Sequence, residues 1–187
     1  MIWIAVLLVV VLIVLIGFVV LYNRLVRTRN RVDNAWAQVE VQLKRRWDLI
    51  PNLVETVKGY ASHERETFEA VTNARTAAQQ ASSPAESAQA EGILSQALGR
   101  LFAVAEAYPD LKATQNFQEL QAQLSDTENK VAVSRQVYND TVLTYNNAIE
   151  TFPGAAVAGP FGFRKREFFE VEDAAQREAP VVDFDRS

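Results

Sequence analysis

The sequence predicts an all-α fold: an N-terminal transmembrane helix continuing into an antiparallel up-down four-helix bundle, with an irregular C-terminal tail. Three features predict it. Ile2–Leu21 is an unbroken apolar run, "IWIAVLLVVVLIVLIGFVVL". From Val32 to Ala61 apolar or small residues recur at a mean spacing near 3.6, the helical period. Phe117, Leu124, Val131, Tyr138, Tyr145 and Phe152 recur every seven residues, the repeat of a left-handed supercoiled seam. The expected organisation is an anchor over 1–22, a cytoplasmic bundle over 23–152 and an aromatic, basic tail over 153–187.

The apolar run is twenty residues long. At about 1.5 Å per residue it matches the roughly 30 Å hydrocarbon core of a bilayer. Trp3 and Tyr22 bracket it as interfacial aromatics do. A cleaved signal peptide would need a basic n-region, a shorter apolar core and a small-x-small site, and the run has none of these. Arg24, Arg27, Arg29 and Arg31 follow it directly. The positive-inside rule then sets the N-terminus outside and the bundle in the cytoplasm.

The first soluble helix is expected to continue from the span, since Tyr22–Arg31 has neither Gly nor Pro. Gly59 reads as its stop and Ser62 as the N-cap of a second helix over His63–Ala81, with Glu64 and Glu66 favouring the dipole. The alternative is no turn here and one helix over Tyr22–Ala81. "SPAE" at Ser83–Glu86 is a capping box with Pro84 at the first helical position. It should open a third helix that runs to about Tyr108, before Pro109. The fourth covers roughly Thr114–Phe152. Tyr22–Tyr60 and Thr114–Phe152 are each 39 residues, so the fourth helix should return Phe152 toward the bilayer.

The chain has no cysteine and one histidine, His63. Disulfides, thiolate metal sites and mechanisms needing two imidazoles within one chain are excluded. Residues 22–60 carry eight Lys/Arg against four Asp/Glu, and residues 61–187 carry eleven against nineteen. A basic collar beside an acidic body suits anionic lipid at one end and argues against nucleic acid. No Glu-x-x-His pair, glycine-rich phosphate loop or Gly-x-Ser-x-Gly elbow is present. No catalytic, cofactor-binding or metal-ligating residue is therefore assigned, and no cofactor is expected.

In "KRRWDLIPNLV" (44–54), Lys44, Arg45 and Asp48 fall on a wet face, while Trp47, Ile50, Leu53 and Val54 face inward. Pro51 removes an amide donor and crowds the Trp47 carbonyl; the reading is a kink, with a hinge as its alternative. Arg46 lies on the inward stripe, and Glu128 and Arg135 lie on the fourth helix's seam. A buried polar layer of Arg46, Glu128 and Arg135 is one reading, with Glu128 the leading partner. Snorkelling of Arg46 from a bundle edge is the other. The tail "GPFGFRKREFFEVED" sets Phe161, Phe163, Phe168 and Phe169 around Arg164, Lys165 and Arg166. This is an oligomer or lipid contact, or a surface that docks on the bundle's own base.

"RNRVDNAWAQVEVQLKRRWDLIPNLVETVKGYASHE", "YPDLKATQNFQELQAQLSDTENKVAVSRQVYNDTV", "YNNAIETFPG" and "FGF", in this order, resemble the LemA family. The resemblance runs from Tyr22 to Val182-Asp183-Phe184. It implies an N-terminal membrane anchor, an antiparallel four-helix bundle and no established catalytic activity, with some relatives associated with membrane shaping. One departure is Ala155, where the family often has Asn after its Phe-Pro.

The function read from these features is non-enzymatic: a membrane-anchored, self-associating scaffold or membrane-organising protein in a bacterial cytoplasmic (inner) membrane. Its partners would be the membrane itself, further copies of the chain and other membrane proteins. The alternative is a monomeric adaptor that tethers one cytoplasmic protein. A hydrolase would need convergent Asp/Glu in a pocket, and the carboxylates are scattered along the sequence.

Overall fold

The computed structural model describes residues 2–170, so Val182–Phe184 lie outside the described residues. The chain is all-α, and no strand occurs among the described residues. In order come α1 (Ile2–Lys58), α2 (Arg65–Gln80), α3 (Pro84–Glu106), α4 (Pro109–Lys112), α5 (Gln115–Glu150) and α6 (Gly154–Ala158).

α1 is one helix of 57 residues, about 85 Å at the α-helical rise. Its first twenty residues touch little protein, and from Ile2 to Val20 the large apolar side chains are exposed. It is long and apolar enough to cross a membrane. From Leu25 on, a stripe turns inward: Leu25, Val32, Ala35, Val39, Leu43, Arg46, Ile50, Leu53 and Val57 are buried. α5 runs antiparallel beside it. Asn116 donates to Thr56 at 3.3 Å, Glu128 meets Arg46, and Gly154 just beyond α5 lies against Leu25.

Two cores stack along this pair. The far core draws on Ile50, Leu53 and Val57 of α1, Phe68 and Val71 of α2, Leu94 and Leu101 of α3, Leu111 of α4, and Phe117 and Leu124 of α5. The core nearer the apolar segment is built from α1 and α5 (Leu25, Val39, Tyr138, Tyr145), closed by Val157 of α6 and by Phe163 and Phe169 of the tail. α2 and α3 are too short to reach it, apart from Ala88.

Ser83 caps α3 by accepting from the Glu86 N–H, and Thr114 caps α5 by accepting from the Phe117 N–H. The Glu86 carboxylate reaches Ser82, whose hydroxyl and N–H both donate to it, so the box closes one residue early. The ends of other elements differ from expectation. Ser62 does not cap α2, which starts at Arg65 after Glu64. Ala61 is buried and donates to Val57, while Glu64 donates to Ala61, so the chain keeps turning until the core contact is made. α3 stops at Glu106 because the chain must turn into α4 at Pro109. α5 stops at Glu150, which leaves Phe152, the last residue of the heptad series, exposed.

Among the described residues, the segment after α5 opens with the short helix α6 and continues without regular structure. α6 folds back so tightly that a Cβ on Gly154 would lie 1.9 Å from the Ala148 carbonyl oxygen, so only glycine fits there. At Ala155, the position of the family's Asn, the turn is held by backbone alone: its N–H donates to Thr151 at 2.9 Å. Gly162 then takes a φ of 70°, a left-handed conformation that favours glycine.

α1 runs through Pro51 without a break. The proline cannot donate to the Trp47 carbonyl, and the Arg75 Nε of α2 donates to it instead, at 2.8 Å. Arg75→Ala should cost about 1–3 kcal/mol by leaving that carbonyl unpartnered. In a Pro51→Ala background the restored amide takes over, and the same substitution should cost under about 1 kcal/mol. Denaturation of the detergent-solubilised chain gives both values; an equal cost in the two backgrounds would refute the compensation.

Candidate functional site

Two polar constructions stand out, and both attach other parts of the chain to the α1/α5 pair. The first lies between the two cores. Arg46 is 4% exposed and Glu91 of α3 is 6% exposed. Their side chains form a buried ion pair. A second Arg46 nitrogen donates to Ser95 and to Glu128, each at 2.9 Å. Trp47 Nε1 donates to the other Glu91 oxygen at 2.6 Å. A guanidinium taken out of water needs partners in fixed geometry, and here α3 supplies the buried partner.

Glu128 therefore touches Arg46, but from the rim: its side chain is 49% exposed. Arg135, expected in the buried layer, is exposed. Its place on the seam overlooks a cleft rather than a packed helix. A cleft of about 510 Å³ lies there between α3 and α5, lined by Arg46, Glu91, Ser95, Glu128, Arg135 and Phe169 among others. Sequence reasoning missed Glu91. The signal was available: Ala88, Glu91, Leu94 and Leu98 fall on one helical stripe, so Glu91 is a charged residue on an apolar face, as Arg46 is.

The second construction docks the tail. Asn146 and Asn139, both on α5, each pair with the backbone of one tail residue. The Asn146 amide donates to the Arg166 carbonyl and accepts from the Arg166 N–H, both at 2.9 Å. Asn139 makes the same pair with Phe169, at 3.2 and 2.9 Å. Seven helical residues advance about 10.5 Å and three extended residues about 10 Å, so the two ladders stay in register. The Tyr138 hydroxyl donates to the Glu167 carbonyl at 2.8 Å.

Burial pushes the Tyr138 phenol up to about 12 from its ordinary 10.0. It raises Tyr145 as well. The stabilising contribution of Tyr138 is thus fully present below pH 10 and is lost as pH rises through about 12.

The tail aromatics divide by position. Phe169 is buried beside Trp36 and Phe163 beside Tyr22, with ring centroids 6.0 and 5.7 Å apart. Arg29 lies over the Phe163 ring at 5.5 Å, a cation–π contact. Phe168 is half-buried. Phe161 packs on Phe18 and Tyr22 yet stays 52% exposed.

Of the tail's basic residues, Arg166 pairs with Asp33 at 2.8 Å and Lys165 pairs with Glu150, while the Arg164 side chain is exposed. Arg24, Arg27 and Arg31 are exposed around the start of the soluble part, and Trp3 is exposed at the far end of the apolar run. His63 is exposed. Among the described residues no three His, Asp or Glu converge to hold a metal ion.

Two expectations follow. Glu91→Gln should destabilise the protein by about 3–5 kcal/mol, as breaking a buried pair does. Glu128→Gln should cost under about 1 kcal/mol because water already screens it. A denaturation series that reversed this order would make Glu128 the principal partner. For the tail, Asn146→Ala should speed tryptic cleavage at Arg164–Arg166, whereas Asn147→Ala on the wet face should not. Equal rates in the two variants would show that the amide does not hold the tail.

The family model described as LemA family matches residues 35–184 of this chain. Magnetosome protein MamQ 2 of Paramagnetospirillum magneticum is 27% identical, the alignment covering 86% of this chain and 68% of that protein. Magnetosome protein MamQ of Magnetospirillum gryphiswaldense is 26% identical with the same coverage. Protein LemA of Metamycoplasma hominis is 27% identical over 88% of this chain and 74% of its own length.

Proposed function

We propose that this chain, which belongs to the LemA family and is a membrane-associated helical protein, acts without catalysis as a self-associating scaffold that organises membrane components. The observation that carries this is the continuity of α1. One helix without a break joins the apolar segment to both cores. A span and a body joined this way cannot pivot freely, so neighbouring copies would meet in a fixed orientation. The antiparallel return of α5 brings the tail to the same end, beside Tyr22 and Arg29. That several relatives are named for the magnetosome rather than for a reaction accords with such a role.

In this reading the apolar segment crosses a bacterial cytoplasmic membrane with the N-terminus outside. The four arginines after it stay on the cytoplasmic side. Partners are further copies of the chain and other proteins of the same membrane. A monomeric adaptor is the second reading, favoured by the cleft between α3 and α5, which is large enough for a partner's side chains and carries both charge signs.

Mass measurement on the protein extracted in mild detergent separates the two. A defined multiple of 20.9 kDa is expected; a monomer would remove the scaffold and leave the adaptor. A phosphatase fused after Ser187 should be inactive in the same cells, and an active fusion would reverse the orientation.

A further inference from the structure

We propose that the loop from Phe152 to Gly162 is a second membrane contact: an uncharged wedge that enters the bilayer leaflet beside the span. This rests on the reading that Ile2–Leu21 crosses the bilayer. Depth is the first observation. The Phe161 ring centroid is 5.4 Å from that of Phe18 and 5.3 Å from that of Tyr22. Phe18 lies about 4.5 Å inside the end of the apolar run at the α-helical rise. A ring packed on both Phe18 and Tyr22 lies at the level of the last turn of the apolar run, where in this reading the surroundings of Phe18 are lipid.

Composition and exposure agree. Residues 151–163, "TFPGAAVAGPFGF", contain no charged side chain. α6 is two-faced: Gly154, Val157 and Ala158 are buried, and Ala155 and Ala156 face outward. Phe152 is 87% exposed, the most exposed of the large aromatics in the described body beyond the apolar run. Charge resumes at once on both sides, with Glu150 and Lys165 joined as an ion pair and Arg24, Arg27 and Arg164 exposed nearby. Exposed guanidinium groups at this level suit anionic headgroups.

Part of the loop's backbone is already partnered. Polar main-chain groups need partners before they leave water. Ala155 donates to Thr151, Ala156 to Pro153, Gly162 to Gly159 and Phe163 to Ala158. Pro153 and Pro160 have no N–H to satisfy. A second copy or a foreign protein could cover the same residues, but neither would have to match the depth of Phe18.

The chain has no cysteine, so single labels can be placed cleanly. Phe152→Cys and Ala156→Cys would carry an environment-sensitive nitrobenzoxadiazole. Val10→Cys marks the span, and the exposed Ala113→Cys marks the far end of the body. The full chain is reconstituted in phosphatidylcholine–phosphatidylglycerol vesicles with nitroxide lipids. The labels at 152 and 156 should show blue-shifted emission relative to 113 and lose most of the iodide quenching seen there. Nitroxides near the headgroup should quench them more than nitroxides at the bilayer centre. Iodide quenching equal to that at 113, with the Val10 label buried in lipid, would overturn the wedge and leave the span intact. Shielding from both quenchers that disappears as protein is diluted in lipid would assign the loop to a second copy and overturn the wedge. A Val10 label open to iodide would overturn the span, and the wedge with it.

Discussion

A guanidinium buried between two apolar cores sets the arrangement of the helices. Arg46 projects from α1 at the height where α2 and α3 give out and the tail begins. Its partners come from α3 and α5, and Trp47 beside it shares Glu91. An apolar residue at this place could slide along its neighbours at little cost. A charge cannot, because each displacement strands it without partners in a medium that does not solvate it. The pair therefore fixes the height of the α2/α3 hairpin on the long α1/α5 pair. It also decides where the third layer changes from hairpin to tail.

That change is made by different physics at each end. The far core is closed by side chains on an apolar helical stripe. The near core has no third or fourth long helix, and an extended segment takes their place. Such a segment has unpaired backbone groups along both edges. Asn139 and Asn146 answer them with side-chain amides, each using one N–H as donor and its oxygen as acceptor. Because one heptad of helix and three extended residues advance by nearly the same distance, a helix can act here as a partner strand. Phe163 and Phe169 supply the burial and the amides supply the register.

Much of this was legible in residue order. The apolar run, the inward stripe of α1, the cap Ser83 and the seven-residue repeat of α5 all describe one helix at a time. The charge on the Arg46 stripe was legible for the same reason. Less legible were events that need two segments. Ser62 has the chemistry of a cap, yet burial of Ala61 delays α2. Arg135 sits on the seam by spacing, yet it faces the cleft between α3 and α5 and is exposed. Asn139 and Asn146 look like ordinary polar residues beside Tyr138 and Tyr145 until the tail is laid against them.

The sequence by itself determined the helical class, the length of the apolar segment, the antiparallel return and the presence of a charge, Arg46, on an apolar stripe. Each follows from periodicity, length or a charge on an apolar face, which are properties of a segment alone. Only the tertiary structure decided that Glu91 is the buried partner, that the tail fills the near core, and that Phe161 packs on Phe18 and Tyr22 while Phe152 stays uncovered. Those depend on the axial offset between separate helices. No local period encodes that offset; it is set when packing, ion pairing and backbone hydrogen bonding are satisfied together.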